Sequence, residues 1–407
     1  MRNKPLHILI ISTWAYYEPL ACSYLLPYIR VLRDVLPHGS HIHFITMEKA
    51  RFSVHKQTVK EEKVKLAAEG IHWHTHQYVS FGLRAIAAYG WLIARLSLLV
   101  WKKKISVLHP FAPVAGAVAL HIKKLTGKKL VLDSWEPHAE SMVESGVWNR
   151  ASLAFRFLFR AEKKLTLRAN YLIAASSKMK NYVQEKWSVA PARVAYRPAC
   201  VDLTLFDPAR FDKETLRENF RLKNKIVAVC TGKLTGMYLG METMTLLKAA
   251  SHFFGEKFHA LLITETEPEL IEEWRSNVNL PSHQLTIMTV PFERVPQLLA
   301  MADFAINPQK PLPSKRYGTP IKDGEYWAMG LPVILPPDIS EDSEIAVNEK
   351  IGVLWNPHES DHDLLFQQLT TLMSDGQLKQ RCRQAAMTYR NFELAHKAYR
   401  EVYNQWM

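Results

Sequence analysis

Short apolar runs recur along this chain, each followed by a stretch with helical spacing, and the alternation happens twice. LHILIIS, HIHFIT, ISVLHP, KLVLDS and NYLIAAS form a first series; KIVAVCT, FHALLIT, QLTIMTV, DFAINP, PVILP and IGVLW form a second. Runs of this length and apolarity suit strands buried on both faces, and the helical stretches between them are the crossovers that parallel strands require. Two doubly wound, Rossmann-like α/β domains in tandem are expected. The 407 residues are too many for one ordinary core and comfortable for two. Regular pattern fails in YRPACVDLTLFDPARFD, whose prolines and aspartates suit a linker, so the boundary is placed near residue 200.

A formal net charge of +13 implies an anionic partner. Zinc-finger spacing, RNP-like aromatics and a basic helix with heptads are all missing, which argues against nucleic acid. Lysines cluster at Lys102, Lys103, Lys104, Lys123, Lys124, Lys128 and Lys129, just after the apolar stretch LRAIAAYGWLIARLSLLVW. Arg95 interrupts that stretch, so it is a poor membrane span. It reads either as a core helix or as an interfacial helix beside a polybasic patch, in peripheral contact with an anionic membrane. Cys22, Cys200, Cys230 and Cys382 are scattered, and the apolar run of MRNKPLHILIIST is short for a signal peptide, so a reducing, cytoplasmic compartment is expected. Neither the alternating His72, His74 and His76 nor Asp361-His362-Asp363 has the neighbours a metal site needs, and no bound metal or cofactor is expected.

Most of the legible chemistry lies in SKRYGTPIKDGEYWAMGLPVIL, Ser314 to Leu335. Thr319 suits an N-cap, Pro320 the first helical position and Gly330 a left-handed helix end, which predicts a helix over Pro320 to Met329 before a buried strand. At about 100° per residue Glu325 falls in the apolar arc of Ile321, Ala328 and Met329. A buried carboxylate there is either paired with Lys322 or Arg316, or it accepts the hydroxyls of a polyol such as a ribose diol. Lys310, Lys315, Arg316 and Lys322 surround Gly318 and a helix N-terminus, a setting that favours an anion. Diol acceptor and phosphate cradle together point to a nucleotide.

The order S-x5-P-I-K-D-x-E-Y-x-A-x-G-L-P-V-I resembles the donor motif of retaining GT-B glycosyltransferases of glycosyltransferase family 4 (group 1). The resemblance implies two Rossmann-like domains facing each other across a cleft, an acceptor domain over 1–200, a nucleotide-sugar domain over 201–385, and a last helix, 386–407, that returns to the first. It implies sugar transfer from a nucleotide-sugar co-substrate to a glycan, lipid-linked saccharide or similar acceptor, with retention and without a metal. Glu325 would bind the ribose, and Ser314, Thr319, Ile321, Lys322, Arg316, Gly232 and Lys233 the rest of the nucleotide and its phosphates. Tyr317 stands where many members carry a second Glu, and Leu239 and Gly240 where a second basic residue is usual. His138 or Asp133 would face the reacting carbon, while Trp14, Tyr17, Glu18 and Glu136 would shape the acceptor side. A catalytically silent nucleotide-sugar-binding subunit of the same fold is the alternative, because Tyr317 and the glycine-free first loop depart from the family pattern.

Overall fold

The computed structural model describes residues 4–79, 83–190, 193–359 and 361–407, which divide into two units. The first comprises Met1–Val143, Trp148–Arg197 and Glu393–Met407; the second comprises Glu144–Val147 and Pro198–Phe392.

The first unit is built on seven strands: β1 (His7–Ile11), β2 (His41–Glu48), β3 (Ile71–Gln77), β4 (Val107–Pro110), β5 (Lys129–Trp135), β6 (Tyr171–Ala174) and β7 (Val194–Tyr196). All pair in parallel, in the order β3-β2-β1-β4-β5-β6-β7. The crossovers are α1 (Leu26–Val35), α2 (Lys56–Ala68), α3 (Leu83–Lys102), α4 (Ala112–Thr126), α5 (His138–Glu144), α6 (Leu153–Arg168) and α7 (Met179–Trp187). β7 is absent from the sequence-derived strands because it has three residues only and Pro198 follows two positions on. Histidines of β2 and β3 stack on one face of the sheet, and His43 Nδ1 lies 3.1 Å from His74 Nε2. Among the described residues no group of three or more His, Cys, Asp or Glu side chains is placed to hold a metal ion.

The last helix, Phe392–Tyr403, belongs to this unit and is fastened to its sheet by polar bonds. Asp133, at the end of β5, is fully buried. Its Oδ1 accepts from Arg197 Nη2 at 2.7 Å, and its Oδ2 accepts from Tyr399 Oη at 2.7 Å and lies 3.1 Å from His109 Nε2. His109 Nδ1 in turn lies 2.6 Å from Tyr403 Oη. Burial alone would raise the pKa of Asp133, but the Arg197 guanidinium and His109 outweigh it and hold the carboxyl well below the usual carboxylate range. Asp133, a catalytic candidate by sequence, thus has both oxygens engaged in a buried network that ties the last helix to the sheet.

The second unit has six parallel strands, β8 (Ile226–Thr231), β9 (Phe258–Ile263), β10 (Leu285–Met288), β11 (Phe304–Ile306), β12 (Val333–Leu335) and β13 (Gly352–Leu354). Their order, β10-β9-β8-β11-β12-β13, repeats the order of the first six strands of the other sheet. Its helices are α8 (Lys213–Asn219), α9 (Gly240–Phe254), α10 (Pro268–Asn277), α11 (Val295–Leu299), α12 (Ile321–Ala328), α13 (Asp342–Asn348), α14 (Asp363–Met373) and α15 (Leu378–Tyr389). Strand alternation divides the core. Val227, Val229, Ala305 and Val333 face α12 and α15, while Ala228, Cys230, Phe304 and Ile334 face α9 and α14.

Two local expectations change. The stretch from Leu378 onward is two helices, because Arg390 is fully buried, pairs with Asp342 and interrupts the helical path before Phe392. Helix α12 begins at Ile321 with Pro320, not Thr319, at the N-cap and no side-chain cap. Gly330 has the expected left-handed conformation, at φ +77°.

Candidate functional site

In an open parallel sheet, ligands sit beyond the carboxyl ends of the strands where the strand order reverses. In the second unit that place lies between β8 and β11. The loop after β8, TGKLTGMYLG, and the segment after β11 are tied together there: Leu239 N–H donates to the Pro308 carbonyl at 2.8 Å, Lys310 N–H to Met237 at 3.0 Å, and Lys310 Nζ to Gly236 at 2.8 Å. Helix α12 is bolted to the same point, since Thr231 N–H donates to Tyr326 Oη at 2.9 Å and Thr231 Oγ1 lies 2.8 Å from it.

Lys322 and Glu325, one helical turn apart, project from α12 at this point. The Lys322 ammonium is buried, has no hydrogen-bond partner among the described residues, and lies 4.1 Å from the centroid of the Tyr238 ring. It rests against Gly232: a Cβ there would meet Lys322 Nζ at 2.6 Å and Cε at 2.7 Å. Gly232 also has φ +86°, so only glycine suits both the backbone and the space. Glu325 is 7% exposed, and among the described residues no hydrogen bond or ion pair reaches its carboxylate. Burial pushes the group up to about 8, and the positive charge of Lys322 pulls back against that rise. The ion-pair explanation for Glu325 is therefore not realised with either expected partner. Arg316 instead extends into solvent 3.9 Å from Asp338.

A second buried acid steadies the first turn of α12. Asp323 Oδ2 accepts from Asn307 Nδ2 at 2.8 Å, at the end of β11. Burial and the neighbouring Asp342 carboxyl push Asp323 well above the usual carboxylate range. Ser314 Oγ is buried with no partner among the described residues, Lys233 is exposed, and Thr319 and Ile321 are half-buried. Sequence reasoning missed Tyr238, Tyr326 and Asp323. Nothing in their spacing signals that Tyr238 lies against Lys322, because the pair comes together only when the two loops fold against one another.

A substitution checks this geometry. Gly232→Ala is expected to displace the Lys322 ammonium and, with the cost of about 1–2 kcal/mol for a left-handed alanine, to weaken nucleoside diphosphate binding at least tenfold. Nucleoside binding, read by calorimetry, should stay within a factor of a few. Equal losses for both ligands would remove the phosphate role from this contact.

The residues expected in the first unit fall into two places. Trp14, Tyr17 and Glu18 lie in the loop after β1. Glu18 is tied down, pairing with Lys49 at 2.7 Å and accepting from Ala15 N–H at 3.1 Å. Tyr17 Oη is buried without a partner among the described residues, and Trp14 packs edge-on to Tyr24. Glu136 and His138 follow β5, with His138 Nδ1 3.2 Å from Glu136 Oε1 and both side chains partly exposed. Buried Glu162, from α6, accepts from the Ala139 N–H at 2.8 Å and so fixes the start of the helix that carries His138. Burial raises Glu162 to about 8.

No protein-family model matches the sequence, and no curated protein is similar to it at the level of sequence. Solved structures are similar over the whole length. A glycosyltransferase from Rickettsia africae is 16% identical, with 98% of this chain and 99% of that one covered at a TM-score of 0.71. HepE from Anabaena, solved in complex with UDP, is 14% identical, with 98% and 100% covered at 0.73. WaaG, a glycosyltransferase involved in lipopolysaccharide biosynthesis, is 14% identical, with 98% and 99% covered at 0.69. Strand order in both sheets, the return of the last helix to the first unit and these full-length matches agree: the chain has the GT-B fold of glycosyltransferases, two Rossmann-like domains in one chain.

Proposed function

We propose that this protein is a retaining glycosyltransferase that moves a sugar from a nucleotide-sugar donor to a saccharide or lipid-linked acceptor, in a reducing, cytoplasmic setting. One observation carries the reading. A buried ammonium and a buried carboxyl, neither with a hydrogen-bond or ion-pair partner among the described residues, stand on one turn of helix where the strand order reverses. Each lacks what a nucleotide brings: Lys322 a phosphate, Glu325 a pair of ribose hydroxyls. As the sugar–phosphate bond breaks, negative charge grows on the diphosphate, and Lys322, Lys233 and the N–H groups at the uncapped start of α12 stabilise it. Leaving-group departure runs ahead of attack. A donor phosphate oxygen takes the acceptor proton, so neither a strong enzymic base nor a metal is required. In this reading His138, with Glu136 beside it, would serve the reacting sugar, and Trp14 and Tyr17 the acceptor.

HepE holds UDP and UDP-glucose in crystals, which makes uridine nucleotides the first to try. Incubation with UDP-sugars, and then with GDP- and ADP-sugars, should release nucleoside diphosphate slowly even without acceptor. Binding without release would instead indicate a silent nucleotide-sugar-binding subunit. Glu325→Gln should lower donor affinity roughly ten- to a hundredfold, since charge-assisted bonds of about 1.5–3 kcal/mol each are weakened. With the free carboxyl at about 8, wild-type affinity should also rise with pH up to that value, a slope the Gln variant loses. The sign for stability is opposite. The folded state holds the Glu325 proton more tightly than the unfolded chain, so wild type loses stability relative to Glu325→Gln as pH rises from about 4.5 to 8. A destabilised Gln variant with unchanged donor affinity would refute the ribose role.

A further inference from the structure

Helix α3 is apolar on two faces. Leu92, Leu96 and Val100 are buried and seal the core, while Trp91, Leu98 and Trp101 stand out at 67%, 70% and 64% exposure. At 100° per turn step the exposed three fall within an arc of about 80°, on the far side from the buried three. A helix serving only its own core has no use for the second face. α3 packs on α4 and α4 on α6, and the layer presents further protruding side chains, Leu125 at 63% and Phe157 at 58%. The ammonium of Lys128 sits over the Trp101 ring, at 5.6 Å, which joins the ends of α3 and α4.

Charge distinguishes this layer more sharply than apolarity. Residues 79–132 contain no Asp or Glu at all, and residues 145–184 contain one, Glu162, which is buried. Against it stand 17 Lys and Arg in the same two segments, more than the chain's whole net charge of +13, so the remainder of the chain is slightly acidic. We infer that the α3–α4–α6 layer is a docking surface for an anionic lipid bilayer, with Trp91, Leu98 and Trp101 entering the headgroup region and Lys102, Lys103 and Lys104 held at the phosphates. Tryptophan has the amphipathic ring suited to that depth, and lysine stems reach past apolar surface to keep their charge in the headgroups. A second copy of the chain is disfavoured, since a two-fold contact would set these lysines against their own equivalents. A nucleic acid uses the charge, but the apolar side chains here are spread over three helices, unlike the narrow wedge that enters a base stack. The inference is independent of the reaction, because the layer contains none of the proposed donor-binding residues. No helix among the described residues is long and apolar enough to cross a membrane, so the contact is a seat and not a span.

Sedimentation of the full chain with vesicles decides it. The protein should pellet with phosphatidylcholine vesicles containing phosphatidylglycerol, should stay in solution with phosphatidylcholine alone, and should be released by salt, since charges at the surface are screened beyond about 8 Å at physiological ionic strength. Charge reversal in K102E/K103E/K104E should lower partitioning at least about tenfold. W91S/L98S/W101S removes exposed side chains only and should keep the thermal transition while losing most of the partitioning; if that variant fails to fold, the lysine variant alone carries the test. Absence of pelleting at low salt would overturn the inference. So would equal partitioning of the lysine variant, tighter capture by a single-stranded RNA than by the vesicles, or a dimer in light scattering that W91S/L98S/W101S converts to monomer.

Discussion

Replacing Lys322 by methionine is expected to weaken nucleoside diphosphate binding about a hundredfold or more, because an ammonium can donate to two phosphate oxygens in charge-assisted bonds of about 1.5–3 kcal/mol each. The same substitution should raise the melting temperature of the ligand-free protein. Without ligand the ammonium is buried with no hydrogen-bond partner among the described residues, and its favourable contact is the Tyr238 ring at 4.1 Å. A cation over an aromatic face is worth about 0.5–2 kcal/mol, less than the several kcal/mol that an imperfectly paired buried ion costs. Methionine keeps most of the stem while removing the charge. Opposite signs for affinity and stability are the signature of a residue held ready for an anion. Calorimetry with nucleoside and nucleoside diphosphate, together with thermal unfolding, reads both quantities. A lower melting temperature with unchanged diphosphate affinity would show that Lys322 is structural and would take the phosphate site away from α12.

Asp133→Ala should destabilise the protein by about 3–5 kcal/mol, the usual consequence of stranding a buried partner charge. Arg197 is the stranded group: it is fully buried, and its guanidinium lies 3.7 Å from the Tyr28 ring with Asp133 Oδ1 at 2.7 Å. Tyr399 loses its acceptor as well, so the last helix is loosened from the sheet at one of its fastenings. Asp133→Ala/Arg197→Met should be less destabilised than Asp133→Ala alone, because removing both charges leaves no uncompensated ion. Acid tests the same pair. The folded-state pKa of Asp133 is depressed, so its contribution is present at neutral pH and is lost as pH falls below the ordinary aspartate value of 3.8. Urea melts at neutral pH measure the effect of the substitutions, and the same melts of wild type in acid measure the loss with pH. An Asp133→Ala protein of wild-type stability that has lost transfer activity would restore Asp133 to the catalytic candidates.

Sequence and structure divide the explanation of this protein along a physical line. Whatever depends on neighbours along the chain is legible in the residues. The apolar runs become strands because each is long enough to lie buried on both faces, and Gly330 closes α12 because glycine tolerates the left-handed conformation there. The place of Glu325 in an apolar arc is likewise a matter of helical period, and it marks the residue as one that packing does not explain. Whatever depends on which residue stands opposite was decided by tertiary structure. Asp133 looks like a candidate at a strand end until Arg197, 64 positions away, and Tyr399, 266 positions away, take its oxygens. The stretch from Leu378 has unbroken helical composition, yet it breaks where Arg390 is drawn to a buried carboxylate supplied by α13. Tyr238 and Lys322 become a pair only across the loops that follow β8 and β11. Spacing cannot foretell such partners, because the energy of a buried charge is fixed by what surrounds it in three dimensions and not by its neighbours in sequence.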